Sequence, residues 1–326
     1  MKVFLTGATG YVGHQLAIKL ANENYKVIAL VRDLNSEKVP NHHNIKTIKG
    51  NICDYYSVET AIKDCDYVFH TAAYTNLKCK KLDNFYNTNV LGTENILKAS
   101  LFHNIKKVIY TSTLAVYGPS FESTSIAESQ PRLVSYSNDY ELTKSISEEL
   151  VFEYIKKGLP CTVLNVSRVY GPGLKTFSSG VNTLISKIAK NDFLMVPSKL
   201  HINTNYVFIE DVVNAHVLAM KNENSIGKYI VGGENVTYET LFKTIKRITK
   251  SKIKIVKINY SFLRLGLSFI NSTKKLIGLP SGITAKILDS LFVNRLATSQ
   301  KAEKDLGYQI TPLNLGLEVT IKHLKS

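Results

Sequence analysis

The sequence predicts an α/β fold, a doubly wound parallel sheet carrying a smaller C-terminal region. Three observations point there. Short apolar runs alternate with helical patterns as far as Val166, a spacing that suits right-handed strand–helix–strand crossovers. The first thirteen residues, MKVFLTGATGYVG, set a strand, three glycines and a helix end to end. Past Gly173 the alternation lapses, as expected of a second, less regular unit.

Taken in order, Val3-Phe4-Leu5 is a short buried-type strand, and Val12, Leu16, Ala17 and Leu20 form one stripe of the helix behind it. Gly7, Gly10 and Gly13 lie between them at G-x-x-G-x-x-G spacing. A strand turning sharply into a helix presents free backbone N–H groups at the positive end of the helix dipole, where a pyrophosphate is the usual guest. Glycines keep that turn tight and let the backbone approach the ligand. A glycine triplet alone is weak evidence; in this strand–turn–helix context it predicts dinucleotide binding. Lys26 to Val31 is a second strand ending in Arg32-Asp33, and Ile45 to Ile48 a third, closed by GNICD at 50–54 and a helix from Ser57. Asp66 to His70 is a fourth strand, running into Thr71-Ala72-Ala73. A helix over about 82–101, a strand at Lys107 to Tyr110, a helix from about Asn138 to Lys157 and a strand at Thr162 to Val166 complete the alternation. A ligand should lie across the carboxyl ends of these strands, where the two halves of the sheet meet.

The expected division is a dinucleotide-binding domain at 1–173 and a smaller substrate-binding region at 174–202 and 223–326. Residues 203–222 return to the first domain, with a strand at Asn205 to Ile209 rejoining the main sheet and a helix from Asp211 to Met220 behind it. Further helices fall at Val181 to Lys190 and Thr237 to Lys250, with a short strand at Lys228 to Val231 between them. The segment 258–296 is rich in Leu, Ile and Phe but broken by Arg, Lys, Gly and Pro280, and reads as a capping element rather than a membrane anchor.

No apolar run approaches the ~18 to 20 residues that span a bilayer. Met1-Lys2 leads straight into a core-type strand, which leaves no room for a signal peptide. Cys53, Cys65, Cys79 and Cys161 are scattered without a C-x-x-C pair, as expected of free thiols in a reducing cytoplasm. The net charge of +15 can serve attraction to a phosphorylated cofactor, an acidic substrate, a membrane surface or nucleic acid. With basic residues spread along the chain and no nucleic-acid motif among them, the reading adopted is a lysine-rich solvated surface. His70, His201, His216 and the His42-His43 pair do not have the spacing of a closed metal site, so no metal is expected.

Tyr140 and Lys144 stand i, i+4 on a predicted helix, so both side chains leave one face. A free phenol titrates near ~10 and is a poor base at neutral pH. Lowering it by about three units takes roughly 4 kcal/mol, which a close ammonium in a low-dielectric pocket supplies. Y-x-x-x-K by itself is common. Here Thr111-Ser112-Thr113 follows the fifth strand directly, placing hydroxyls at the sheet's carboxyl edge, where one can bond a carbonyl oxygen and share a developing alkoxide with the phenol.

These motifs together resemble an extended short-chain dehydrogenase/reductase, the group also called NAD-dependent epimerase/dehydratase, and the likeness runs nearly end to end. GATGYVG resembles the family's cofactor loop, VFHTAA at 68–73 its fourth-strand motif and NTNVLGTENIL at 87–97 its helix with a central Asn. YTSTLAVYG at 110–118, YELTK at 140–144, NVSRVYGPG at 165–173, NYVFIEDVVNAH at 205–216 and KAEKDLGY at 301–308 continue it. The resemblance implies a Rossmann-type domain, with Tyr140 as acid/base and Lys144 lowering its pKa and binding the nicotinamide ribose. Thr113 aligns with the catalytic hydroxyl, Ser112 being the fallback, and Asn89 with the Asn that holds the active-site helix and water. Gly7, Thr9, Gly10, Tyr11, Val12 and Gly13 form the diphosphate loop, Ala72 and Ala73 line its far side, and Val169 and Tyr170 flank the nicotinamide. Asn51 stands where the family has an adenine-contacting Asp, with Ile52 beside it. Many NAD-preferring relatives end the second strand in an acid; this chain has Val31 and then Arg32, which can pair with a 2′-phosphate. Asp33, about twenty residues past the last glycine, can instead be read as the acid of an NAD site. The reading adopted is NADP, with NAD the alternative.

Arg32, Y-E-L-T-K and NVSRVYGPG resemble the dihydroflavonol-4-reductase-like branch. That implies NADPH-dependent reduction of a ketone or aldehyde. The apolar cap residues Phe262, Leu263, Leu265, Phe269 and Ile270 fit a small, apolar substrate and fit ordinary lid packing equally well. The alternative is an NAD-dependent nucleotide-sugar 4-epimerase or dehydratase, for which Arg264 and Arg295 are possible anchors. A third reading is a non-catalytic dinucleotide sensor, a class that typically loses the tyrosine or lysine kept here. The resemblance also implies a homodimer through the helices at about 82–101 and 138–157.

Overall fold

The computed structural model describes residues 1–325 apart from 78–80, 122–123, 133–134, 191 and 277–283, with backbone alone at 274–276. The N-terminal part runs β1 (Lys2–Thr6), α1 (Tyr11–Asn22), β2 (Lys26–Val31), β3 (Ile45–Lys49), α2 (Tyr55–Ile62) and β4 (Tyr67–His70). Next come α3 (Leu82–Phe85), a π-helical stretch (Tyr86–Leu91), α4 (Gly92–Phe102), β5 (Lys107–Thr113), a 3-10 turn (Leu114–Tyr117), α5 (Asp139–Lys156), β6 (Cys161–Val166) and β7 (Arg168–Tyr170). The remainder is α6 (Gly180–Lys190), β8 (Phe193–Pro197), β9 (Asn203–Phe208), α7 (Ile209–Lys221), β10 (Gly227–Val231), β11 (Glu234–Thr237), α8 (Tyr238–Thr249) and β12 (Lys254–Ile258). Four helices end it: α9 (Tyr260–Leu276), α10 (Ala285–Leu291), α11 (Gln300–Leu306) and α12 (Leu313–Lys325).

The main sheet has seven strands in the order β3-β2-β1-β4-β5-β6-β10, and every neighbour pair is parallel. Parallel strands covered on both faces read as continuous apolar runs, and β1 shows why. Val3 and Leu5 enter a core shared with α1 and α7, while Phe4 between them enters the opposite core beside α2, α4 and α5. All three are fully buried, each worth roughly 1.5–3 kcal/mol. Strand order reverses at β1, between β2 and β4, and the mouth of the functional cleft opens there.

The expected return of Asn205 to Ile209 to the main sheet does not occur. β9 forms a separate three-stranded sheet, parallel to β7 and antiparallel to β11. The edge of β6 that it would need is taken by β10, paired from Gly227 opposite Thr162 to Val231 opposite Val166. The helix after it does reach the main sheet: Val212, Val213, Ala215 and Val217 of α7 belong to the core that covers β1. A third apolar cluster joins α6, α8 and α12 to β9 on the other side of the cleft. Cys53 is an exposed free thiol and Cys65 and Cys161 are buried ones; Cys79 lies outside the described residues.

Two buried histidines make stability depend on pH. His216 is fully buried, its Nδ1 2.7 Å from the Val212 carbonyl and its Nε2 2.7 Å from the Thr111 hydroxyl, a pairing that suits the neutral ring. Burial lowers its pKa to about 4, and lowers that of His70, bonded to Thr6 and Thr93, to about 3. Their folded pKa values lie below the unfolded value near ~6.5, so the unfolded chain takes up protons first as pH falls. Stability is therefore full above that value and is lost through the window down to pH ~4, by up to about 3 kcal/mol for His216. Melting temperature measured from pH 8 to pH 5 should fall, and His216→Gln should flatten that fall; an unchanged slope in the variant would remove His216 as its source.

Candidate active site

The glycine turn is built as a cradle. Gly10 precedes α1 in extended conformation, and no side chain caps the helix, so its first amides face outward without a side-chain partner. Gly7 has φ +79°, and a Cβ there would stand 2.6 Å from Thr71 Oγ1 and 2.7 Å from the Ala72 nitrogen. At Gly13 a Cβ would lie 2.2 Å from the Gly7 carbonyl oxygen. The missing side chains thus let the turn close tightly on itself and on the loop after β4, with the positive end of the helix at the cleft. These residues fit a dinucleotide.

From this turn a cleft of about 1030 Å³ runs across the carboxyl ends of the strands. Gly7, Thr9, Gly10, Tyr11, Val12 and Gly13 line its floor. Arg32, Asn51 and Ile52 line one end, Ala72 and Ala73 the wall over β4, and Ser112, Thr113, Tyr140, Lys144 and Val169 the middle. Of the sequence-predicted residues, Asn89 and Tyr170 do not line it. Asn89 is buried behind it: its Oδ1 accepts from the Tyr74 N–H at 2.7 Å and its Nδ2 donates to Thr143 Oγ1 at 3.0 Å. It therefore ties the loop after β4 to α5. Tyr170 turns away from Val169 into the third cluster, where its ring meets Phe208 at 5.7 Å and leaves room only for Gly316.

The start of α5 sets the tyrosine. Asn138 caps the helix by accepting from the Glu141 N–H at 3.0 Å, and the Glu141 carboxylate accepts in return from the Ser137 N–H at 3.0 Å. Its other oxygen holds Arg295 at 2.8 Å, and both side chains are nearly buried. The Glu after the tyrosine thus staples the active-site helix to the C-terminal region, and Arg295, which does not line the cleft, is occupied there. Arg264 likewise pairs with Asp289 at 3.0 Å outside the cleft.

Burial pushes the Tyr140 phenol up to about 12, with a hydrogen bond to Thr113 pulling the other way. The Thr113 hydroxyl also accepts from the Ala115 N–H at 3.2 Å, fixing its rotamer toward the cleft end of β5. Lys144 is buried, and its ammonium donates to Tyr110 Oη at 2.6 Å and to the Thr111 carbonyl at 2.8 Å. Burial lowers it to about 7 against the pull of Glu148. The i, i+4 pair lines one cleft as expected, but burial, not the ammonium, governs the phenol in this structure. Ser112 donates to the buried carboxylate of Glu148, which also pairs with Arg132 and accepts from Asn165 Nδ2 at 2.6 Å. Its hydroxyl is engaged within the protein, while Thr113 remains beside the phenol.

Sequence reasoning missed several lining residues. Ser36 and Lys38 join Arg32 at one end, and Arg168, Tyr206 and Tyr238 line the other. Arg168 donates to Tyr238 Oη and to the Leu291 carbonyl, with no carboxylate partner among the described residues. Its position inside NVSRVYGPG was a usable signal; Tyr238 and Leu291 become neighbours only through the tertiary fold. The cap residues Phe262, Leu263, Leu265, Phe269 and Ile270 do not line the cleft, and all but the half-buried Leu263 are exposed, so the substrate contact open to them in the sequence is not made. The apolar wall is made by Val181, Leu184, Leu194, Val196, Phe242 and Phe292 instead. Among the described residues no group of three His, Cys, Asp or Glu could hold a metal, and no helix is long and apolar enough to cross a membrane.

Comparison with known proteins agrees with this architecture. The chain is 29% identical over 273 residues to a UDP-N-acetyl-alpha-D-glucosaminuronate decarboxylase of Bacillus cytotoxicus, covering 79% of this chain and 84% of that one. It is 29% identical over 301 residues to cinnamoyl-CoA reductase 1 of Petunia hybrida, covering 82% and 87%. The crystal structure of the UDP-glucose 4-epimerase of Thermotoga maritima superposes with a TM-score of 0.81 over 100% of this chain and 99% of that one, at 22% identity, a likeness of fold. The description of the NAD dependent epimerase/dehydratase family matches residues 3–232, more than half the chain. With a glycine cradle, a dinucleotide-sized cleft and Tyr140, Lys144 and Thr113 along it, the chain belongs to that family, and is an NAD(P)-dependent enzyme of the extended short-chain dehydrogenase/reductase type.

Proposed function

We propose that this enzyme is an NADPH-dependent reductase of a ketone or aldehyde on a small, largely apolar substrate, of the dihydroflavonol-4-reductase-like branch. The observation that carries the reading is the Tyr140 phenol, hydrogen-bonded to Thr113 and held protonated by burial inside a cleft whose far wall is apolar. A phenol is protonated at neutral pH even at its ordinary pKa near ~10, and burial keeps it so, which is the protonation state that carbonyl reduction calls for. When bound, NADPH supplies the hydride to the carbonyl carbon. Tyr140 gives its proton to the carbonyl oxygen as that oxygen gains negative charge, and the Thr113 hydroxyl donates to the same oxygen and orients it. Lys144, held by Tyr110 Oη and the Thr111 carbonyl where it lines the cleft, would bind the nicotinamide ribose. Asn89 acts at one remove, holding α5 in register with the loop after β4.

NADP is proposed over NAD because Arg32, exposed and free of any carboxylate partner among the described residues, lines the cleft beside Ser36 and Lys38. Asp33 does not line it, and its carboxylate instead accepts from the Asn35 N–H at 3.0 Å within the turn. One observation favours the nucleotide-sugar reading: Arg168 offers a guanidinium without a carboxylate partner at the substrate end, suited to an anionic group. The two are separated by incubating the purified protein with NADPH and a panel of aromatic and aliphatic ketones and aldehydes, and separately with UDP-glucose. Oxidation of NADPH with a carbonyl compound is the expected result. Stoichiometric NAD released on denaturation, with interconversion of UDP-sugars and no NADPH consumed, would overturn the reductase reading in favour of the epimerase.

A further inference from the structure

The basic excess, expected to be spread along the chain, is concentrated. Residues 240–288 hold eleven lysines and arginines and no aspartate or glutamate, so most of the net charge of +15 arises in this one stretch. It takes in most of α8, β12, α9 and the start of α10. The same stretch turns apolar side chains to solvent. In α9, Phe262 is 75%, Leu265 64%, Phe269 72% and Ile270 48% exposed. At spacings of i, i+3, i+7 and i+8 they share one face of the helix.

The neighbouring two-stranded ribbon continues the patch. β8 and β12 are parallel, with Phe193 opposite Lys254 and Met195 opposite Val256. These four alternate residues are all exposed and share a face. Leu194 and Val196, on the other face, line the active-site cleft. Hydrogen bonds join ribbon and helix: the Ser198 N–H donates to the Ile258 carbonyl at 2.8 Å, and the Tyr260 N–H to Ser198 Oγ at 3.2 Å. The ribbon thus carries exposed apolar and basic side chains on the outside of the cleft wall, and α9, with its own exposed apolar face, is joined to the end of that ribbon.

Soluble monomers seldom leave such a patch bare. A helix with phenylalanine and leucine on one face, joined to a ribbon that carries exposed lysines, has the make-up of a surface that lies in the plane of a membrane interface. The lack of any acidic side chain over this stretch removes repulsion from anionic headgroups. Arg264 is neutralised by Asp289, so exposed Lys252 and Lys254 supply the attraction. We infer that α9 and the β8–β12 ribbon dock this enzyme on the surface of an anionic lipid bilayer, the phenylalanines at the acyl boundary and the lysines among the headgroups. No described helix is long and apolar enough to cross, so the contact is with one leaflet.

Flotation of the full-length protein with vesicles tests this. One set is phosphatidylcholine alone and the other contains phosphatidylserine; Phe262→Ser/Phe269→Ser and Lys252→Glu/Lys254→Glu are run beside wild type. Wild type should bind the phosphatidylserine vesicles at least ~tenfold better than the neutral ones, and each double variant should lose ~tenfold or more of that binding. Thermal stabilisation by NADP should be unchanged in both variants, since none of the four residues lines the cleft. The inference is overturned if wild type ignores phosphatidylserine vesicles or if the serine variant binds them as wild type does. It is also overturned if sedimentation shows a wild-type dimer that the serine variant turns into a monomer with vesicle binding absent in both, which would give the face to a second copy of the chain.

Discussion

Tyr140→Phe is expected to lower turnover of a carbonyl substrate by about a thousandfold while leaving NADP binding nearly intact. The phenol's hydroxyl is the only part removed, and the ring that fills the cleft wall stays. Lys144 does not depend on that hydroxyl, because its ammonium is bonded to Tyr110 and to the Thr111 carbonyl. A loss in KM alone, or undiminished turnover, would mean that the proton comes from elsewhere. The comparison with Thr113→Ala separates the two partners: removing Thr113 takes one hydrogen bond from the oxygen, so its cost should be smaller, and the Tyr140 proton should still be delivered. Single-turnover measurements at saturating NADPH read the chemical step directly and check both variants.

Arg32→Ala should cost about 10- to 100-fold in NADP affinity, the worth of a charge-assisted hydrogen-bond pair, and leave NAD affinity within about threefold. The reason is local. Val31 closes β2 as a buried residue, and the chain then emerges from the sheet so that Arg32 stands at the cleft edge beside Ser36 and Lys38. The residue after it is drawn into a turn by Asn35. Thermal-shift titration of wild type and variant with NADP and NAD is the measurement. Equal responses of the wild type to the two cofactors would discard the 2′-phosphate role, and a preference for NAD would return it to the acid.

Much of this site was legible in the linear chain because its parts are local. The cradle lies within residues 7–13, and Gly10 and Gly13 are required by contact with Gly7, although Thr71 closes over both Gly7 and Gly13 and Ala72 over Gly7. Tyr140 and Lys144 face the same cleft because four residues make about one helical turn. The places of the first six strands along the chain followed from apolar runs, since parallel strands covered on both sides are apolar throughout, the thinner edge strand β3 apart. Where the reading failed, the deciding partner was distant. β9 could not rejoin the main sheet because β10, later in sequence, holds the edge of β6. The cap residues 262–270 looked like substrate contacts by composition, yet which face of a helix meets the cleft is settled by what packs under it.

By itself, then, the order of residues determined the fold class, the position of the nucleotide turn and the identity of the phenol–amine pair, all matters of short-range geometry and periodic burial. Only the tertiary structure decided the rest. It showed that the phenol's pKa is ruled by burial, that Asn89 and Glu141 hold the active-site helix from behind, and that Arg168 reaches the far end of the cleft. Desolvation and long-range pairing depend on side chains brought together across tens to hundreds of residues, and no local pattern records which of them will meet.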